Sequence, residues 1–405
     1  MKSLEPSRAK FVAGIGAAVG AAVYATQPAE AQTAPAPSAT EVPTPVPTAP
    51  PPPPAVTPAP TPRDLETPIE YLNTWITPND LHFVRSHYGP PQSPDLNAWR
   101  LSIKGDVGNA LSLSIFDLRT QFEAVSETVL CQCAGNGRGL FSPRASGAQW
   151  TYGGVGNARW TGVRLSDILD RAKMDPNTKF LVTMGADHPA NPNAPQYVRA
   201  FPIDKALDKY TILAYDMNGE PLPLLHGSPL RLIAPGWTGN HWLKWLTSLE
   251  ARVNGAPEDV GFWVATAYRI PNNPATPGVP VLPADTHVVA QMSVKSEILA
   301  PLDGDVVRSG SPLFVQGVAW SGVPSIRSVD ISIDGGPWHP ATLGDALPYA
   351  WRRFSYVFTP SDGTHVLAAR ATDETGATQP LVGVWNPAGY LWNGIMRVSI
   401  TARSA

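Results

Sequence analysis

Cysteine is almost missing. The chain has two thiols in 405 residues, Cys131 and Cys133, and two cysteines separated by one residue cross-link nothing distant, so no disulfide framework organises it. Charge is sparse as well. Charged residues are 16% of the sequence and the formal net charge is −3, which excludes the basic surface that nucleic acid or an anionic membrane would require of a partner. There is no Cys-x-x-Cys-His haem attachment site. The apolar stretch from Phe11 to Ala25 is shorter than the roughly 20 residues needed to cross a bilayer.

Proline and small residues are plentiful and unevenly placed. Lys2, Arg8 and Lys10 precede the apolar stretch, and Ala29-Glu30-Ala31 has the small residues a signal peptidase reads, so residues 1–31 are expected to be a removable export signal. Ser7-Arg8-Ala9-Lys10-Phe11 is similar to a twin-arginine export signal lacking its second Arg. Residues 32–63 shift to Pro, Ala, Thr and Val with almost no charge, a composition that favours extended geometry and builds no core. A disordered spacer is expected there, a proline ligand for a partner being the alternative.

The remainder has room for two domains. Over 64–283, strand-like and helix-like stretches alternate. Leu165, Ile168, Leu169 and Ala172 share one helical face behind a Ser166 cap, while Val125–Leu130, Phe180–Met184 and Leu230–Ala234 read as strands. From 284 to 405 the pattern is short strands and turns, such as Val329–Asp334 before Gly335-Gly336, with no helix signal. The expected fold is therefore an α+β domain followed by an immunoglobulin-like antiparallel β-sandwich, joined by the Pro- and Asn-rich segment Pro271–Pro283.

Cys133 ends a strand-like run and is followed by Ala134-Gly135-Asn136-Gly137-Arg138. Small residues and a cation beside a thiol allow close approach of a ligand and a lowered pKa, but a buried packing thiol satisfies the same residues. The wider order of motifs resembles the sulfite oxidase family. Cys133-Ala-Gly-Asn136, Trp150 and Ala158-Arg-Trp-Thr-Gly-Val-Arg-Leu165 follow the family pattern. So do Phe83-Val-Arg-Ser-His87 upstream and Tyr197, Ala214–Gly219, His226-Gly-Ser-Pro-Leu-Arg231 and Lys244-Trp-Leu246 downstream. Ser332–Gly336, Tyr349-Ala-Trp351, Arg370–Asp373 and Gln379-Pro380 are similar to the family's dimerisation domain.

The resemblance implies a periplasmic enzyme oxidising sulfite to sulfate at a molybdenum centre. The metal is held by a molybdopterin dithiolene and by Cys133, and electrons pass to a c-type cytochrome or haem subunit. Cys131 is left as a packing thiol. Phe83, Val84, Arg85, Ser86, His87, Asp187, His226, Arg231, Trp242, Leu243 and Lys244 fall on the cofactor positions. Arg85, Arg138 and Tyr197 fall on the anion pocket, with Trp150 as its wall. A homodimer through the C-terminal domain is implied too. One position departs: Ala388 stands where animal sulfite oxidases carry a third substrate Arg, and Arg144 and Arg199 are the candidates to replace it. A sulfane dehydrogenase of thiosulfate oxidation is the main competing reading, through Pro235–Asn240. A nitrate reductase, a sulfoxide reductase of the wider family and a non-catalytic adhesin on a proline stalk are more distant.

Overall fold

A computed structural model describes residues 64–404, so the expected export signal and spacer lie outside the described residues. The N-terminal part is built on two five-stranded sheets. One orders Leu111–Leu113, Leu101–Gly105, Leu246–Arg252, Phe180–Gly185 and Val198–Pro202, and it is antiparallel except where Leu101–Gly105 runs parallel to Leu246–Arg252. The other orders Ala124–Gln132, Val155–Arg164, Ile212–Met217 and Glu220–Pro221, with Arg231–Ile233 also paired to Ile212–Met217.

Strand Ala124–Gln132 carries the chain to the site. Its first residues alternate in exposure and its last four are buried, so it enters the core end-on. It pairs antiparallel with Val155–Arg164 to the very end, Cys131 opposite Gly156 and Gln132 opposite Val155. Helix Leu165–Arg171 buries Leu165, Ile168 and Leu169 as expected. Ser166 is not its cap, however. The helix starts at Leu165, whose N–H is satisfied by the Thr211 carbonyl of the neighbouring chain at 3.1 Å, and Ser166 lies inside the first turn.

The C-terminal part is a sandwich of a four-stranded and a five-stranded sheet, packed around Ile298, Val315, Ile331, Phe354, Leu367 and Val398. It departs from pure antiparallel pairing at one edge. Val306–Arg308 runs parallel to Arg397–Arg403, and the chain between them, which threads the whole sandwich, supplies the crossover that parallel pairing requires. The proline-rich segment expected as a connection is the loop of a hairpin, since Arg269–Pro271 pairs with Thr286–Val288 across it. Among the described residues, no helix is long and apolar enough to cross a membrane.

The two parts share a core. Leu130 and Val155, at the end of the Cys133 strand pair, pack with Leu299, Val318, Trp320 and Trp351 of the sandwich. Within this contact Trp320 Nε1 donates to Gln132 Oε1 at 2.5 Å, with both side chains about 2% exposed or less.

Candidate active site and cofactor cavity

Past Gln132 the chain turns sharply. Cys133 N–H donates to the Gly154 carbonyl at 2.8 Å, Asn136 N–H to Cys133 at 3.0 Å, and Arg138 N–H to Gly135 at 2.9 Å. Gly137 sits at φ +83°, and a Cβ there would come within 2.7 Å of the Trp392 ring. The C-terminal part thus closes over this turn, and Leu391 N–H donates to Ala134 at 2.9 Å. The outcome is a thiol and a guanidinium, Cys133 and Arg138, presented from one short loop.

Two cavities meet at that thiol. The first is lined by all of Phe83, Val84, Arg85, Ser86, His87, Asp187, His226, Arg231, Trp242, Leu243 and Lys244, so the residues expected at the cofactor positions converge on one space. The second lies between Arg85, Arg138, Gly147, Tyr268, Ala388 and Tyr390. Cys133, Arg85, His87 and Tyr268 line both.

The first cavity is cationic at low solvent access. Arg231 is 5% exposed, its Nη1 donates to the His226 carbonyl at 3.1 Å, its Nη2 faces Cys131 Sγ at 3.7 Å, and its Nε has no partner. Lys244 Nζ donates to Ser86 Oγ at 2.5 Å and to the Leu225 carbonyl at 3.0 Å. Burial, with Arg231 nearby, pushes the Lys244 ammonium down to about 7, and burial raises Asp187 to about 6. Among the described residues neither cation has a carboxylate within ion-pair distance. Buried, unneutralised cations with an unpartnered N–H demand an anion, and the phosphate of a pterin cofactor meets that demand.

At Cys133, burial pushes the thiol pKa up, while the Gly135 backbone N–H, Arg85 and Arg138 pull the other way. A soft metal at the junction would gain a thiolate there, so the donor set fits a molybdenum held by one cysteine. Cys131, in contrast, is fully buried and raised to about 11 by that burial, as a packing thiol should be.

The second cavity also suits an anion. Arg138 is 8% exposed, with Nε donating to the Ala388 carbonyl and Nη1 to the Ala148 carbonyl, each at 3.1 Å, leaving Nη2 free. Arg85 Nε pairs with Asp64 at 3.3 Å, its Nη1 donates to the Ser86 carbonyl, and its Nη2 meets His87 Nδ1 at 3.2 Å. Other expected residues fall elsewhere. Trp150 packs edge-on against Phe83 in the core, 2% exposed, and lines neither cavity. Tyr197 lines the cofactor cavity, its hydroxyl donating to the Asn240 carbonyl at 2.8 Å. Arg144 is exposed and outside both cavities, and Arg199 is buried behind Tyr268, 5.4 Å from its ring centroid. Tyr268 lies outside the motifs, its one signal being the aromatics from Phe262 to Tyr268; Asn240 and Tyr390 lie in the segments Pro235–Asn240 and around Ala388, where no motif assigned them a role of their own.

Comparison with known proteins agrees with this architecture. Residues 87–259 match the oxidoreductase molybdopterin binding domain and residues 286–403 the Mo-co oxidoreductase dimerisation domain. Sulfite oxidase of Gallus gallus is 31% identical over 347 residues, covering 80% of this chain and 73% of that protein. The chain belongs to the sulfite oxidase family. Mitochondrial sulfite oxidase of Homo sapiens, another member, is 33% identical over 355 residues, covering 83% of this chain; the chain spans 63% of the human protein's length. The crystal structure of the sulfane dehydrogenase SoxCD from Paracoccus pantotrophus superposes with a TM-score of 0.71 at 32% identity, covering 86% of this chain and 89% of that one. Membership carries with it the molybdenum cofactor and sets aside the stalked adhesin.

Proposed function

We propose that the chain is a periplasmic sulfite dehydrogenase, converting sulfite and water to sulfate, two protons and two electrons. The observation that carries this reading is Cys133 at the junction of a cationic cavity lined by the expected cofactor residues and a second cavity walled by Arg85 and Arg138. When bound, the molybdenum cofactor supplies two-electron redox chemistry and oxygen transfer to sulfur. The protein supplies placement. Arg231, Lys244 and His226 hold the pterin and its phosphate, Cys133 ligates the metal, and Arg85 and Arg138 hold the sulfite oxygens so that the sulfur lone pair faces inward. Each charge-assisted contact contributes roughly 1.5 to 3 kcal/mol. Electrons leave singly to an external c-type cytochrome or haem subunit, and two chains pair through the C-terminal domain.

A second reading is favoured by one observation. Ala388 contributes a methyl where a third Arg would close the anion cavity, and that opening suits a bulkier donor such as sulfane sulfur on a carrier; the Paracoccus structure is named a sulfane dehydrogenase. The deciding experiment offers the molybdenum-loaded protein free sulfite or a sulfur-loaded carrier protein with cytochrome c as acceptor. Sulfite-dependent reduction supports the first reading; turnover only with the carrier replaces it by the second. In the same assay Cys133→Ser is expected to lose both turnover and bound molybdenum. A serine variant that still holds about one molybdenum per chain and oxidises sulfite would refute the ligand assignment.

A further inference from the structure

Arg199 is a fully buried cation with little to neutralise it. It lies on strand Val198–Pro202 opposite Thr183, whose hydroxyl donates to the Arg199 carbonyl at 3.2 Å. Its Nη1 donates to the Trp263 carbonyl and its Nε has no partner. Nη2 lies 3.3 Å from His241 Nε2, but that nitrogen also lies 3.0 Å from the Val289 carbonyl, and in a neutral imidazole it either accepts from the guanidinium or donates to the carbonyl. Among the described residues no carboxylate is within ion-pair distance of Arg199. Burial lowers its pKa, yet a guanidinium keeps its proton at neutral pH. A charge held this way is costly, and an apolar side chain of similar volume would relieve the cost, so stability does not account for an arginine here.

One aromatic ring separates this charge from the site. Arg199 lines neither cavity, but its guanidinium carbon lies 5.4 Å from the ring centroid of Tyr268, which lines both. That ring is fixed by its stack on Tyr390, with centroids 5.3 Å apart and planes 17° apart, so it stands as a wall between the cation and an anion beyond it. Buried surroundings screen a charge far less than water does, and the field therefore passes through. His87, on the cavity side, registers it: burial first, then Arg85 and Arg199, push its pKa down to about 3.

We infer that Arg199 is a specificity-determining residue, a third positive charge around the anion cavity that acts through the Tyr268 ring without touching the substrate and favours a doubly charged oxyanion over a singly charged one. The inference rests on the sulfite reading. A guanidinium at position 388 would offer N–H groups to any oxyanion, whereas a cation behind a ring offers only its field, so its benefit grows with the charge of the anion.

The test uses the molybdenum-loaded full chain and reads, by calorimetry, the binding of two tetrahedral oxyanions of unequal charge, sulfate and perchlorate, together with sulfite KM and molybdenum content. Arg199→Gln keeps an amide donor for the Trp263 carbonyl and loses the charge. It is expected to raise the perchlorate Kd about fivefold and the sulfate Kd about twenty-fivefold, the first factor squared, with sulfite KM following sulfate and molybdenum content unchanged. Arg199→Lys keeps the charge and should stay within about threefold of the parent for both anions. His241→Glu leaves the arginine in place and neutralises it with a carboxylate, so it should reproduce the Arg199→Gln pattern even where that variant fails to fold. Equal losses for the two anions would reduce Arg199 to a support for the shape of the cavity, and sulfate binding within about twofold of the parent in both neutralised variants would remove it from the site; either result overturns the inference while the sulfite reading stands. A parent that neither binds sulfate nor oxidises sulfite overturns both.

Discussion

Arg138 reaches the anion cavity through a sheath of glycine. A Cβ on Gly135 would lie 2.8 Å from its Nη2, one on Gly147 2.7 Å from its Nη1, and one on Gly389 2.6 Å from its Cγ. Gly389 is the most constrained, because its φ of +62° also disfavours any side chain and its Cβ would meet Ala145 at 2.8 Å. Gly389→Ala is therefore expected to cost roughly 1 to 2 kcal/mol of stability from the backbone alone. It should also push the guanidinium off the Ala388 carbonyl, raising the sulfite KM about tenfold with the sulfate Kd following it. Steady-state kinetics beside a urea melt would separate the two effects, and an unchanged KM would mean that Arg138 does not contact substrate. The glycines were visible in the sequence, yet only Gly135 and Gly137 lay in a motif. Gly147 and Gly389 acquire their purpose from a guanidinium far away in sequence, and linear spacing carries no record of that.

At the level of elements, the strand that delivers Cys133 is held by the sandwich as much as by its own sheet. Trp320, at the end of strand Leu313–Trp320, donates to Gln132 one residue before the thiol, while Leu391 and Trp392 cover the turn just after it. Trp320→Phe removes the donor and leaves the buried Gln132 amide oxygen without a partner, which is expected to cost about 1 to 3 kcal/mol. Differential scanning calorimetry of the loaded protein checks it; a variant as stable as the parent would show that water takes the place of the indole. Strand Phe180–Gly185, strand Ala124–Gln132 and the apolar face of helix Leu165–Arg171 were legible because alternation and helical spacing are local properties. The cap at Ser166 misled because the donor of Leu165 was satisfied from Thr211 across the sheet, a tertiary contact that replaces capping. The residues at the cofactor cavity were legible through the order of family motifs, whereas the Tyr268–Tyr390 stack joins two segments that no motif connects.

For the whole molecule, Arg231 and Lys244 have buried imidazoles for neighbours and, among the described residues, no carboxylate within ion-pair distance, and this sets the response to acid. Burial first, and then Arg231, hold His82 near pKa 3; burial and Arg85 do the same at His87. His226 and His241 are lowered by burial as well, with His82 and Arg199 respectively adding to it. Each histidine is neutral in the folded state and takes up a proton near pH 6.5 once unfolded, so between about 6.5 and 3 the unfolded chain binds more protons. Stability contributed by these four groups is therefore present above about pH 6.5 and is lost as the pH falls through that window. Asp187, raised to about 6, acts in the opposite direction, because its buried carboxylate is unfavourable at neutral pH and is relieved as it protonates. Glu127 and Glu297, also raised by burial, add to Asp187. Four imidazoles outweigh three carboxyls, so the urea midpoint of the cofactor-free chain should fall steadily from pH 6.5 to pH 4.5, and His82→Phe should flatten that slope. A midpoint that stays level over this range would mean that the histidines gain protons inside the folded protein, and the cationic cavity described at Cys133 would then carry more charge than its geometry implies.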